Sequence, residues 1–212
     1  MEIELQRLYN KIVNKENFAL VRFGDGEHNI LQNVPCNRNG FDYDPGDIRD
    51  QDFAEKLNES FIYSNENYYK GVGAKDVLHD VCQLISACVF VNANYLDFLN
   101  NFNPLFENCI FIGNEWGNKE ALPFKPERYV KIKENAWKDL NSNLLDLYMI
   151  RFLEKQQNKI VLVAGGPMAN TLIHKLYTSN QNNTYINVGS TYDFWLFGKI
   201  TRQYQKRLFN EK

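Results

Sequence analysis

The sequence predicts an α/β fold, a Rossmann-like and mostly parallel sheet with helices on both faces, formed by a single domain over residues 1–212. Three observations carry this prediction. Short apolar runs suited to buried strands alternate along the chain with stretches of helical periodicity. The clearest unit joins the uninterrupted apolar strand Lys159-Ile-Val-Leu-Val-Ala164 to a tight Gly165-Gly166-Pro167 turn, then a helix, then another strand. The composition is that of a globular protein, 44% hydrophobic, 24% charged and 14% aromatic. At this length, folding buries roughly 70% of the surface that the unfolded chain exposes, enough for a full core without metal or disulfide staples.

Taken in order, Ile3, Leu5, Leu8, Ile12 and Val13 follow helical spacing, and Phe18 to Phe23 reads as a short buried strand. That strand ends in Gly24-Asp25-Gly26-Glu27, read as a turn or loop. From Asn33 to Gln51 the polar, turn-rich sequence with Pro35, Gly40, Pro45 and Gly46 reads as a long surface loop. Phe53 to Phe61 is expected to be helix, Tyr68 to Val72 strand, Lys75 to Cys88 helix and Ile110 to Ile112 strand. Tyr129 to Ile132 is expected to be a strand. Leu140, Leu144, Leu147, Tyr148 and Phe152 mark one long amphipathic helix from Ala136 to Lys155, capped by Asn135. After the Lys159–Ala164 strand come a helix from Met168 to Tyr177, a strand from Thr184 to Val188 and a C-terminal helix. Ligands of such sheets sit at the carboxyl ends of the strands, which points to the loops at Gly24–Glu27, Gly165–Pro167 and Gly189–Asp193.

Composition also excludes. The formal charge is −2, from 24 Lys+Arg against 26 Asp+Glu, so no global field attracts a nucleic-acid backbone. The longest apolar stretches fall far short of the ~20 residues of a membrane-crossing helix. The N-terminal Met1-Glu-Ile-Glu-Leu-Gln-Arg lacks the basic-then-apolar order of a secretory signal, and a cytoplasmic location is expected. Cys36, Cys82, Cys88 and Cys109 show no metal spacing and are expected to be reduced and buried. His28, His79 and His174 are scattered singly, against a histidine metal site.

Several residues have the chemistry of a site. Asp25 and Glu27, separated by Gly26 and preceded by Gly24, are placed to reach one hard cation. Mn²⁺ or Mg²⁺ takes few protein carboxylates and fills its shell with water and phosphate oxygens, so the pattern suits a metal-diphosphate complex; as turn formers the same acids need no ligand. Gly165, Gly166 and Pro167 open a helix where backbone N–H groups and the helix dipole suit a phosphate, or form a simple β-to-α turn. This is not G-x-G-x-x-G, and Asn187 stands where a dinucleotide fold places an acid. Asp193 suits a general base, with Ser190 or Tyr192 binding a hydroxyl, or else Ser190 and Asp193 cap the last helix. Arg22, inside an apolar strand beside this loop, needs a carboxylate or phosphate partner and holds either the loop or the ligand. Lys199, Arg202, Lys206 and Arg207 recur on one helical side as a solvated face. Tyr95, Trp116 and Trp195 are of a type that stacks on a base or sugar, and are expected in the core.

Together, Leu20-Val-Arg-Phe-Gly-Asp-Gly-Glu27, Asn135-Ala-Trp137, Ala164-Gly-Gly-Pro-Met-Ala169 and Asn187-Val-Gly-Ser190 with Asp193 resemble the GT-D-type glycosyltransferases in order and spacing, from about Phe18 to Arg207. The resemblance implies that Asp25 and Glu27 occupy the Asp-x-Glu positions, bind Mn²⁺ or Mg²⁺ with a nucleoside diphosphate and take part in catalysis with Asp193 as base. Arg22, Gly24, Gly26, Gly165, Gly166, Pro167 and Ser190 would line the donor site. The implied reaction moves a hexose such as glucose from a nucleotide-sugar, of which a UDP-sugar is the expected kind, to a hydroxyl of a glycan or glycoconjugate. Asn187 departs from the family, which often has Asp there. Two alternatives stand beside this: a catalytically silent nucleotide-sugar binding subunit, and a Rossmann-type methyltransferase or oxidoreductase.

Overall fold

The computed structural model describes residues 1–38, 41–73, 84–139 and 142–210, and for 142–144, 146 and 210 the backbone alone. Helix α1 (Ile3–Val13) buries Leu5, Leu8 and Ile12 and leads into β1 (Ala19–Arg22). There follow α2 (Asp25–Leu31), the antiparallel hairpin β2 (Cys36–Arg38) and β3 (Phe41–Tyr43), α3 (Ile48–Ile62), β4 (Tyr68–Val72) and β5 (Leu84–Ser86). The middle of the chain gives α4 (Tyr95–Phe102), β6 (Ile110–Asn114), β7 (Arg128–Ile132) and α5 (Ser142–Leu153). The last part gives β8 (Ile160–Ala164), α6 (Met168–Ser179), β9 (Thr184–Asn187), α7 (Asp193–Phe197) and α8 (Arg207–Asn210).

Among the described residues the main sheet has seven strands in the order β5-β4-β1-β9-β8-β6-β7, every pair parallel. The central strands are covered on both faces, which is why they read as continuous apolar runs. Alternation divides them. Leu20, Phe111, Leu162 and Ile186 face α1, α4 and a cluster rich in Phe and Tyr. Val21, Ile112, Val163 and Tyr185 face α3, α5 and α6. Packing of this kind makes large-to-small changes costly, about 2–5 kcal/mol for a buried Leu or Ile cut to Ala.

The predicted fold class is the one observed, and the differences lie in the connections. Gly24–Glu27 is not a free loop, since α2 begins at Asp25. The stretch from Asn33 to Gln51 is not one loop either: it contains the β2–β3 hairpin and the start of α3, whose Asp47 caps the Arg49 N–H at 2.9 Å. Of the helix expected from Lys75 to Cys88, residues 75–83, with His79 and Cys82, lie outside the described residues, and Leu84–Ser86 is a strand paired with β4. The helix expected from Ala136 to Lys155 is interrupted. A short 3₁₀ turn covers Ala136–Lys138, Asp139 is extended, and α5 starts at Ser142. Asn135 does not cap a helix; it sits in the left-handed region at φ 50°. The C-terminal helix stops at Gly198 (φ 64°), so Lys199, Arg202, Lys206 and Arg207 do not share one helical face. Cys109 is buried as expected, Cys36 is half-buried and Cys88 is exposed. Among the described residues, no helix is long and apolar enough to cross a membrane.

Candidate active site

At the carboxyl end of β1 the chain turns straight into α2, with Gly24 at the N-cap, Asp25 first and Glu27 third in the helix. Glu27 reaches back so that one carboxylate oxygen accepts the Gly24 N–H at 3.0 Å, satisfying one of the unpaired donors of the helix start. Burial raises the Glu27 carboxyl above its ordinary value, against the opposing pull of that N–H and of the Arg22 charge. Asp25 is exposed at the cavity. Residues two apart on a helix do not face each other. The paired acids therefore offer one free carboxylate and one half-committed one to the cavity.

Gly26 is explained by a side chain. A Cβ there would lie 2.6 Å from Phe41 Cζ, and Phe41 of the hairpin also comes close to Gly166. The hairpin is fastened in turn. The Asn135 side chain accepts the Asp42 N–H at 2.9 Å and its amide nitrogen binds the Asp42 carboxylate. Lys138 pairs with Asp42 at 2.7 Å and with the fully buried Asp50 at 2.9 Å. Asp50 also accepts Trp137 Nε1–H at 2.8 Å and the Asp44 N–H at 2.7 Å.

At the end of β8, Gly166 takes φ 55°, and Pro167 at the N-cap leads into α6. At the end of β9, Asn187 is buried in an amide network. Its Nδ2 donates to Asn170 Oδ1 at 2.7 Å and its Oδ1 accepts the Gly189 N–H at 2.9 Å. Asn170, on α6, in turn accepts the Arg22 N–H at 3.0 Å and donates to the Arg22 carbonyl at 2.8 Å. The network ties β1, β9 and α6 together behind the site. A carboxylate at 187 would face Asn170 Oδ1 with no donor between them, which accounts for Asn at this position.

Arg22 projects from β1 with Nε and Nη2 donating to the Ala87 carbonyl at 2.8 and 2.6 Å, its guanidinium 5.7 Å from the Phe90 ring centre. Among the described residues no carboxylate forms an ion pair with it. The third nitrogen, Nη1, lies beside Gly189, where a Cβ would come within 3.1 Å. Burial works against its charge, with Tyr204 and Glu27 favouring it. The alternative reading of Ser190 and Asp193 as a capping pair does not hold, since α7 has no side-chain cap at its start. Ser190 Oγ is 2.9 Å from the Tyr204 hydroxyl, and Asp193 accepts Thr201 Oγ1–H at 2.7 Å, its carboxyl raised by burial.

These three strand ends open into one cavity of about 1170 Å³, lined by Arg22, Asp25, Glu27, Gly165, Gly166 and Asp193 among others. Gly24, Gly26 and Ser190 also line it, whereas Pro167 does not. The sequence reading missed Arg38, Phe41, Lys133 and Tyr204, which line it too. Arg38 and Phe41 lay in the presumed loop, and Tyr204 in the presumed solvated helix; no local pattern marked them. Tyr95 is buried, donating to the Thr191 carbonyl at 3.0 Å, and Trp195 is half-buried against Tyr192 and Phe194. Trp116 is 79% exposed, contrary to the expectation of a core residue. Among the described residues no three His, Cys, Asp or Glu side chains come together as a metal cage. The donor set fits a cation that takes one or two protein carboxylates and draws its other ligands from phosphate and water, and does not fit an all-protein cage.

No protein-family model and no curated protein matches the chain. Solved structures do match. One, described as a new glycosyltransferase of the domain of unknown function 1792 from Streptococcus sanguinis, is 14% identical, with 98% of this chain and 91% of that chain covered and a TM-score of 0.61. Another, described as the highly conserved domain of unknown function 1792 with a distinct glycosyltransferase fold, is 15% identical, with 98% and 87% covered and a TM-score of 0.60. At these identities the likeness is one of fold, and it extends over almost the whole chain.

Proposed function

We propose that this chain is a glycosyltransferase that moves a hexose from a nucleotide-sugar, a UDP-sugar in the first instance, to a hydroxyl of a glycan, with Mn²⁺ or Mg²⁺ as cofactor. One observation carries the reading: Asp25, Glu27, Arg22, the Gly165-Gly166 turn and Asp193, all singled out in the sequence, line a single cavity at the carboxyl ends of the strands. The fold shared with the two structures above supports it. In this reading Asp25 would hold the cation directly and Glu27, two positions on in α2, would turn its free oxygen to it through water, and Arg22, with no acid paired to it among the described residues, takes a phosphate oxygen through Nη1. The bound cation would supply charge neutralisation for the departing diphosphate. Asp193 accepts the proton of the acceptor hydroxyl as its oxygen bonds to the anomeric carbon and the bond from that carbon to the diphosphate oxygen breaks. A carboxyl raised by burial is better matched to that proton than an ordinary Asp.

The test is UDP affinity by calorimetry, with Mn²⁺ and with chelator, alongside transfer from a UDP-sugar. Asp25→Ala should abolish the metal-dependent part of binding, a loss of about tenfold or more, equal to about 1.4 kcal/mol. Glu27→Ala should do the same and also lose the helix cap, at about 0.5–2 kcal/mol of stability, so Asp25→Ala is the cleaner variant. Asp193→Asn should keep donor binding and lose transfer. Unchanged Mn²⁺-dependent affinity in both acid variants would overturn the site assignment.

A further inference from the structure

We infer that Trp116 is the stacking platform of a carbohydrate acceptor subsite on the rim of the cavity, a placement that rests on the glycosyltransferase reading above. An indole 79% exposed at the mouth of a large cavity is unusual, since Trp is mostly buried in folded proteins. Its backbone, by contrast, is fixed. The Trp116 N–H donates to Asn114 Oδ1 at 2.8 Å, the Glu115 N–H to the Ile132 carbonyl at 2.9 Å and the Gly117 N–H to the Asn114 carbonyl at 3.0 Å. Behind the turn there is no room, for a Cβ on Gly117 would lie 2.5 Å from the Tyr129 hydroxyl. An aromatic on a fixed backbone has only two side-chain torsions left to lose when a ligand covers it.

Trp116, Phe197 and Lys199 line both the main cavity and a second hollow of about 500 Å³ outside it, bordered also by Asn118 and Trp195. They form the ridge between the two. The carbon-bound hydrogens on one face of a pyranose are apolar and slightly positive, which matches the negative face of an indole, while amide and ammonium groups at the edge suit its hydroxyls. Chain geometry joins this ridge to the proposed base. The Asn118 N–H donates to the Leu196 carbonyl at 2.8 Å, tying the Trp116 turn to α7. Asp193 and Phe197 are four residues apart on α7, neighbours on one side of the helix. A sugar ring lying on Trp116 and Phe197 is thereby directed along α7 towards Asp193. Arg22 ends β1, three strands away from β6 in the order β1-β9-β8-β6, roughly 14 Å across the sheet. The diphosphate and the platform thus occupy opposite sides of the cavity.

The test follows the Trp116 indole N–H resonance, identified by its loss in Trp116→Phe, during titration with cellobiose, lactose and chitobiose, and separately with UDP and the diamagnetic Mg²⁺. At least one disaccharide should move the resonance, and UDP with Mg²⁺ should leave it in place while moving others. Trp116→Ala should weaken that disaccharide about tenfold without changing UDP affinity, and Trp116→Phe should retain most of it. If no disaccharide moves the resonance, or if UDP moves it, the platform is not an acceptor subsite; in the latter case it is a nucleobase stack. UDP with Mg²⁺ moving no resonance anywhere in the protein would instead contradict the donor reading.

Discussion

Gly26 faces an aromatic ring. Its lack of a side chain lets Phe41 lie against the start of α2, and Gly26→Ala should destabilise the protein by about 1–3 kcal/mol through overpacking. In a Phe41→Ala background the clash is gone, and the better helix propensity of Ala should make the same change neutral or stabilising by up to about 1 kcal/mol. Paired denaturant titrations of the four proteins measure this coupling. Lys70 is a second residue-scale prediction. It lies fully buried in β4 beside Val21, its ammonium has no hydrogen-bond partner among the described residues, and burial lowers its pKa to about 8 from 10.5. Between these values the unfolded chain holds a proton that the folded one has released, so stability rises with pH through the window and the penalty is complete below it. Lys70→Met should therefore add about 1–3 kcal/mol at pH 7, with the gain vanishing as pH climbs from 8 to 10.5. At this scale the sequence marked residues that the structure brings to one cavity, and not what touches them. Arg22 was recognised as needing a partner, yet the carbonyl of Ala87, 65 positions away, has no local signature.

The β2–β3 hairpin and the turn at Asn135–Lys138 form one unit, joined through Asp50. Removing that carboxylate leaves Lys138 with Asp42 as its acid partner and leaves Trp137 Nε1 and the Asp44 N–H without their acceptor. Asp50→Ala should cost about 2–5 kcal/mol, and thermal melts of the variant read it directly. Loosening this unit should also free Phe41 from the two glycine turns it covers. None of this was legible beforehand, because three-residue strands carrying Asn, Arg and Asp have no apolar alternation to read. The long apolar periodicity from Ala136 to Lys155 misled for a related reason. Periodicity reports which side is buried, while the break at Asp139 is imposed by the docking of Trp137 on Asp50 and Phe53, whose ring stacks at 4.3 Å. Where an element was a largely apolar strand, as at β1, β6 and β8, burial on both faces wrote it plainly into the sequence.

For the molecule as a whole, the parallel sheet brings together residues as distant in sequence as Asp25 and Asp193, and this convergence was foreseeable from the alternation of strands and helices alone. The cavity walls were not foreseeable. They come from the hairpin, the Trp116 turn and the segment after Gly198, whose Gln205 is buried and donates to the Ser190 carbonyl at 2.8 Å. The central claim is that this cavity binds a nucleoside diphosphate together with a divalent cation. A thermal-shift comparison of UDP, NAD and S-adenosylmethionine, each with Mn²⁺ and with chelator, tests it most directly. UDP with Mn²⁺ should raise the melting temperature by about 5–10 °C at roughly 100 times the dissociation constant, and chelator should remove the effect. Stabilisation by NAD or S-adenosylmethionine alone, indifferent to chelator, would contradict it.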